Sequence, residues 1–522
     1  MKRILIPTVI ALICLLGCGF PGFGERPESS EGEGPAASEP ATDPAAREET
    51  QAPAALAEET EIPATPAEED AGETAVEEPE PPTAQEPVDL PPSLGDLIQP
   101  EALSYLGAFR PPPDPGGADD RHMWGYSGAG LAYRPDGDRA GADDGFPGSL
   151  FVTGHDVWND VAEISIPAPS LSRDVAALPS AEMLQGFSDV RGGLFDSLAE
   201  IPRVGLAVLR PQGSQTSAKL YLAWGQHFHD EEATIIPSHA WSELDLAQPE
   251  TQGAWWVGDE SLYSVNGYLF EIPAAVADQC LNGARLATGR FRDGGWSGMG
   301  PALFAIAPWQ EGDPPAPGTH LSAQTLLRYG HTRGDSVTEG QLDGYQHSDE
   351  WEGGAWLTLG DASAVIFVGT KGSGYLWYGY PSPAGDGAPC PALEIADMVT
   401  CYGPDGAPCT AEESGGCEGY STEARGWWSS RFDAQMLFYD PAHLLAVAHG
   451  ELSADAPQPY AVLDLDEDLF VFDTVEGPML GFGDQRRYRL GETAYDRERN
   501  LLYVVERFVE EARPVIHVWR VG

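Results

Sequence analysis

Residues 128–133 read GAGLAY, 134–137 follow as RPDG, 149–155 as SLFVTGH and 161–167 as VAEISIP. Each apolar run is short, rich in aromatic or β-branched residues, and bounded by Gly, Pro, Asp or Asn. That is the signature of strand, turn and strand, not of helix. The far end of the chain repeats the scheme, with GETAYD at 491–496, a polar turn at 497–500, LLYVVE at 501–506 and PVIHVWRV at 514–521. The shared order is a small-residue strand ending in Ala-Tyr, a polar turn, a Leu-aromatic-Val strand, a loop and a β-branched strand.

Weaker copies lie between the two ends. They include VGLAVLRP with KLYLAWG in 204–225, AWLTLGD with AVIFVGT and GYLWYG in 355–379, and QMLFYDP with LLAVAHG and PYAVLDL in 435–465. ALFAIAP at 302–308 looks like another first strand. Meanders of three or four strands recurring about every 45 to 70 residues are the mark of propeller blades. The expected fold is therefore all-β, a single β-propeller of six or seven blades over residues 96–522. LSYLGAF at 103–109 precedes the first full unit and is placed to join the last one, which closes the ring and removes its exposed edges. Short helices are expected only near 177–184 and 274–280.

Upstream of the propeller the composition changes. Lys2 and Arg3 precede an apolar run over 4–16, too short to span a bilayer of about 30 Å as a helix, so 1–17 reads as a signal peptide. Residues 21–90 hold 20 acidic and 2 basic side chains, a charge of −18, among Pro, Ala, Thr, Ser and Gly. Such a stretch cannot bury enough apolar surface to repay its ordering entropy, so 18–95 reads as a disordered acidic tether. Without it and the signal, 62 acidic residues face 25 basic ones, near −37 of the total −53. A surface of that sign repels nucleic acid and anionic lipid alike.

The residues Leu15-Leu16-Gly17-Cys18 resemble the lipobox of bacterial lipoproteins. The resemblance implies a lipid on Cys18 as the first mature residue, with membrane contact through that anchor only. Gly19 in place of aspartate implies the outer membrane or cell surface. The 128–167 run and the closing 491–521 run look like those of uncharacterised bacterial β-propeller lipoproteins, and more distantly like NHL-type and TolB-like propeller repeats. The resemblance implies the fold and carries over no catalytic residue, since propellers host enzymes and binders alike.

An exported chain makes disulfides the first reading for Cys390, Cys401, Cys409 and Cys417, in any of three connectivities. A zinc site is the rival, although close cysteine pairs are missing. Cys280 reads as a small buried thiol. His227 and His229 share one face of a strand and Asp230 follows, a set able to chelate zinc; the acidic turn 464–468 offers oxygens to calcium. The bland reading comes first in each case: a strand end entering a solvated acidic loop with hydrogen-bonded histidines, and a solvated acidic turn. His155 and Asp156, like His331, His347, Asp349, Glu350 and Glu352, sit on connections at one end of the ring. The doublets Trp255-Trp256 and Trp427-Trp428 read as loop-borne platforms for sugar rings. No nucleophile elbow, phosphate loop, dinucleotide fingerprint or His-Glu-x-x-His helix occurs. The expected function is binding of a glycan, peptide or envelope protein on the loop face. Metal-assisted hydrolysis or elimination on a carbohydrate is the alternative.

Overall fold

In the computed structural model the described residues are 95–522, except 117–119, 139–140, 142–143, 197–202, 226–236, 261, 290–297, 331–339, 380, 382–425, 471–480, 488 and 511. Strand β1 (Leu103–Phe109) leads into five blades. Blade 1 holds β2 (Leu131–Arg134), β3 (Ser149–Thr153), β4 (Val161–Ser165) and β5 (Met183–Ser188). Blade 2 holds β6 (Arg203–Leu209), β7 (Lys219–Gly225), β8 (His239–Ser242) and β9 (Gln252–Val257). Blade 3 holds β10 (Tyr268–Glu271), β11 (Leu286–Gly289) and β12 (Ala302–Ile306); β13 (His320–Leu321) then lies parallel to β9, and β14 (Ala323–Arg328) completes blade 3. Blade 4 holds β15 (Glu350–Leu359), β16 (Ala362–Gly379), β17 (Gly426–Tyr439) and β18 (Ala461–Asp464). Blade 5 holds β19 (Leu490–Asp496), β20 (Leu501–Glu510) and β21 (Arg513–Val521).

The innermost strands β2, β6, β10, β15 and β19 each touch the next, and β19 touches β2. The ring is therefore a β-propeller, and β1 closes it as expected. It pairs antiparallel with β21 from Leu103 opposite Val521 to Phe109 opposite Ile516. The outer edge of β1 is covered in turn by the loop after β4: Ala108 and Ser170 exchange backbone hydrogen bonds at 2.9 and 3.0 Å. Farther out, Arg173 of that loop donates to the carbonyls of Asp468 (2.8 Å) and Leu469 (2.7 Å) and lies 4.8 Å over the Phe470 ring.

Five blades replace the expected six or seven. The AVIFVGT and GYLWYG runs are one long strand, β16, and QMLFY is its partner β17, so two apparent repeats are one blade. LLAVAHG is not a strand: Pro441 starts α3 (Pro441–Ala448), whose Asp440 accepts from the Ala442 N–H. ALFAIAP is β12, the third strand of blade 3. These runs are mostly apolar, and largely buried strands and helices give much the same pattern. Helices α1 (Leu262–Val265) and α2 (Ala274–Cys280) precede α3; the helix expected near 177–184 is a 3-10 turn at Val175–Ala177 followed by β5.

Packing between blades is continuous, with buried clusters bridging each neighbouring pair around the ring. Trp224, Trp241, Trp351, Trp356 and Trp519 fill the wedges, each an indole that removes some 150–250 Å² from water. The axis is closed by one side chain. Glu492 on β19 is fully buried and accepts the backbone N–H of Leu131 (2.9 Å), Leu206 (2.8 Å) and Leu269 (2.7 Å), so blade 5 is tied to three other blades. Burial pushes its carboxyl well above the usual range, against the pull of the three donors.

The ring has two faces. The innermost strands start from the entry face and end at the exit face. Residues 95–98 reach the exit face beside blade 4, where Gly95 donates to Asp361 O (3.0 Å), Asp96 accepts from Ser363 (3.0 Å) and Ile98 donates to Ser363 O (3.2 Å).

Candidate binding face

Blade 4 overhangs the entry face. Pairing of β15 with β16 stops at Thr370, whereas β16 and β17 stay paired to Gly379 opposite Gly426. The surplus is a two-stranded ribbon of roughly 30 Å at about 3.3 Å per residue. Side chains alternate across a strand, so Trp427 and Trp428 face opposite ways. Trp428 is buried, with the Arg487 guanidinium 4.7 Å from its ring. Trp427 is half-buried on the other face, 4.7 Å from the His347 ring and 5.3 Å from Tyr378, while Tyr345 lies 5.4 Å from His347.

Polar groups stand behind these rings. The hydroxyls of Ser348 and Ser429 are 2.5 Å apart, and Ser429 donates to the Gln346 side-chain oxygen. Asp349 is fully buried and accepts from Lys371 Nζ (3.0 Å) and from the N–H groups of Gly372 (2.8 Å) and Gln346 (3.1 Å). Burial pushes its carboxyl up to about 6, with Lys371 opposing.

A strip of ion pairs runs from there to blade 1. Glu350 takes Arg489 on both oxygens (3.1 and 3.0 Å) and Arg487 at 3.3 Å. The Arg507 N–H donates to Arg489 O at 2.7 Å, and its guanidinium reaches Asp156 (3.2 Å) and the carbonyls of Ser127 and Tyr126. His155 Nδ1 accepts from the Val157 N–H (3.2 Å), and its ring touches Tyr126 and Trp158. Tyr126, Asn159 and Phe508 all hold left-handed backbone here, with φ of 60°, 52° and 65°. Bulky residues adopt that region only where their surroundings impose it.

The structure thus brings His155, Asp156, Trp427, His347, Asp349 and Glu350 to one face. Glu352 is buried on β15 beside them. It does not bring Trp255 and Trp256 there. Both doublets lie within strands rather than on loops, and Trp255 is buried at the outside of blade 2, its indole N–H donating to Pro315 O (3.1 Å). Trp256 stacks on His320 at 5.0 Å. Trp255 and Trp428 therefore pack the interior and leave only Trp256 and Trp427 with accessible faces.

Cys18, His227, His229, Asp230 and Cys390, Cys401, Cys409 and Cys417 lie outside the described residues, as does His331. Cys280 is buried on α2, and burial raises its thiol pKa. At the acidic turn 464–468 the cation in place is a side chain, since Arg173 occupies the carbonyls there; Asp466 accepts from the Ala434 N–H. Among the described residues no group of three His, Cys, Asp or Glu side chains is arranged to hold a metal.

Sequence reasoning missed Lys371, Arg487, Arg489 and Arg507. For Arg487 and Arg489 the signal was present: in so acidic a chain, 486–489 holds three arginines. No protein-family model matches the chain, and no curated protein matches it.

Proposed function

We propose that this chain is an exported propeller, anchored to the cell envelope through a lipid on Cys18, that binds a glycan on its entry face. The observation that supports this most is the linked row of Tyr345, His347, Trp427 and Tyr378 on the blade 4 overhang, beside the side-chain amide of Gln346. Apolar ring faces stack on the C–H faces of sugars, and neighbouring amides and hydroxyls satisfy their O–H groups. The acidic surface favours neutral or cationic glycans over anionic ones.

The test is binding of the purified full chain to a panel of neutral and charged polysaccharides, compared with Trp427→Ala. At least about ten-fold weaker binding at unchanged melting temperature is expected, as for an aromatic anchor. Equal binding by the variant would reject this site. New reducing ends or unsaturated products in the bound polysaccharide would transfer the reading to a hydrolase or lyase.

A further inference from the structure

Among the described tryptophans only Trp158, Trp256 and Trp427 are not buried. Trp256 belongs to β9 of blade 2, whereas the other two stand on the entry face, one at each end of the ion-pair strip. Trp158 repeats the surroundings of Trp427. On blade 4 the rings run Tyr345, His347, Trp427, with centroids 5.4 and 4.7 Å apart. Beside blade 1 they run Tyr126, His155, Trp158, at 5.2 and 4.9 Å. The same three ring types meet in the same order at matching spacings, although their sequence positions are unrelated.

The blade 1 cluster is held rigidly and stays open. The Trp158 and Asn159 N–H groups donate to His155 O (3.0 and 2.8 Å), and Asn159 Nδ2 donates to Asp156 O (2.7 Å). The Asp156 N–H donates to Tyr126 O (3.2 Å), which also accepts from Arg507 (3.0 Å). Tyr126 has a φ of 60°, and Phe508, whose ring is 5.6 Å away, a φ of 65°. Left-handed backbone at bulky residues gathers at ligand sites, where it fixes side chains in place before binding. Tyr126, His155, Trp158 and Phe508 are all half-buried, and Val157, between the two rings of the turn, is 54% exposed.

We infer that the entry face binds a glycan of repeating units along its length, with one stretch of the chain on each Tyr-His-Trp cluster. The inference rests on the glycan reading above and adds a second subsite and the polymeric class of the ligand. Two like clusters recognise one kind of unit twice, which neither a lone disaccharide nor a chain end requires. Between them Arg489 and Asp156, 22% and 31% exposed at their side chains, offer polar atoms to the hydroxyls of the intervening sugars. Once one stretch is seated the other binds at high effective concentration, so affinity rises with chain length. Association is non-covalent throughout.

Calorimetric titration of the full chain with xylan, mannan, laminarin and chitosan, then with sized fragments of the tightest binder, tests this. A fragment of about ten sugars should bind at least about 100-fold more tightly than the disaccharide. Trp158→Ala should weaken the long fragment by about ten-fold or more at unchanged melting temperature, and Trp158→Phe should restore most of that loss. Trp158→Ala and Trp427→Ala should each flatten the dependence on length. Wild-type affinity of Trp158→Ala for the long fragment, or equal binding of long fragment and disaccharide, would overturn the second subsite. A loss in Trp427→Ala would then leave the blade 4 site standing alone. No binding of any of these polymers would remove both.

Discussion

The Leu269 N–H donates to Glu492 Oε1 at 2.7 Å, joining innermost strands of blades 3 and 5 that are not neighbours in the ring. The other oxygen takes Leu131 and Leu206, so one side chain meets three donors that no strand ladder satisfies. Glu492→Leu strands three buried N–H groups, each costing about 1–3 kcal/mol. A loss of roughly 3 kcal/mol or more is expected, read as a lower urea midpoint. A midpoint within experimental error of wild type would remove the keystone role.

His239 supplies a pH dependence. It is fully buried, with Nδ1 2.8 Å from the Ser238 hydroxyl and Nε2 2.9 Å from Thr288 Oγ1. Thr288 gives its own proton to Val265 O, so Nε2 carries the hydrogen and Nδ1 accepts. Burial pushes its pKa down to about 3, whereas the unfolded value is about 6.5. The unfolded chain therefore binds the proton first. The stability due to neutral His239 is complete above about pH 6.5 and is lost progressively as pH falls towards 3. His239→Leu should be the less stable protein at pH 8, with the gap narrowing or reversing at pH 4. A gap that is constant with pH would contradict this.

Gly107 is held by the seam. Its φ is +115°, and a Cβ there would stand 2.3 Å from the Ser170 carbonyl oxygen. Gly107→Ala must strain the backbone and push the covering loop off β1. A loss of about 2 kcal/mol or more is expected. Hydrogen exchange should quicken first at Ala108 and Ser170, whose mutual bonds seal that edge.

Removing the guanidinium of Arg173 should act on the same seam from farther away. Arg173→Met keeps an aliphatic stem against Phe470 but frees the carbonyls of Asp468 and Leu469. The expected loss is about 1–2 kcal/mol in chemical denaturation, with no gain of calcium affinity from Asp464 or Asp466, which are engaged in local backbone bonds. Calcium-dependent recovery of stability in the variant would show that the turn is a cation site after all.

The propeller was legible because its first and last units, 128–167 and 491–521, repeat one scheme, and because 103–109 was left without a partner of its own. Blade number was not legible. β16 is long enough to read as two strands, and the apolar α3 carries no polar face to betray its period. The face that gathers His155, Asp156, Trp427 and Asp349 was half visible, since strand ends near turns fall at one rim or the other. Whether Trp427 or Trp428 points outward depends on strand register, which pairing with β16 sets and local sequence does not. The blade 1 ring cluster was invisible: Tyr126, Trp158 and Phe508 come from separate stretches, and nothing local says that they meet at His155. Glu492 lay in the quoted GETAYD run, yet nothing local distinguishes a carboxylate at an axis from one at a surface.

The stitching of residues 95–98 to Asp361 and Ser363 has a mechanical consequence. Tension arriving from upstream reaches blade 4 before it reaches β1. Leu97 runs parallel to Ser363, so a pull along the chain loads those bonds together in shear, and Tyr460, bonded to Ile98 O, shares the load. The seam strand, whose pairing with β21 holds the circle shut, is thereby shielded from traction.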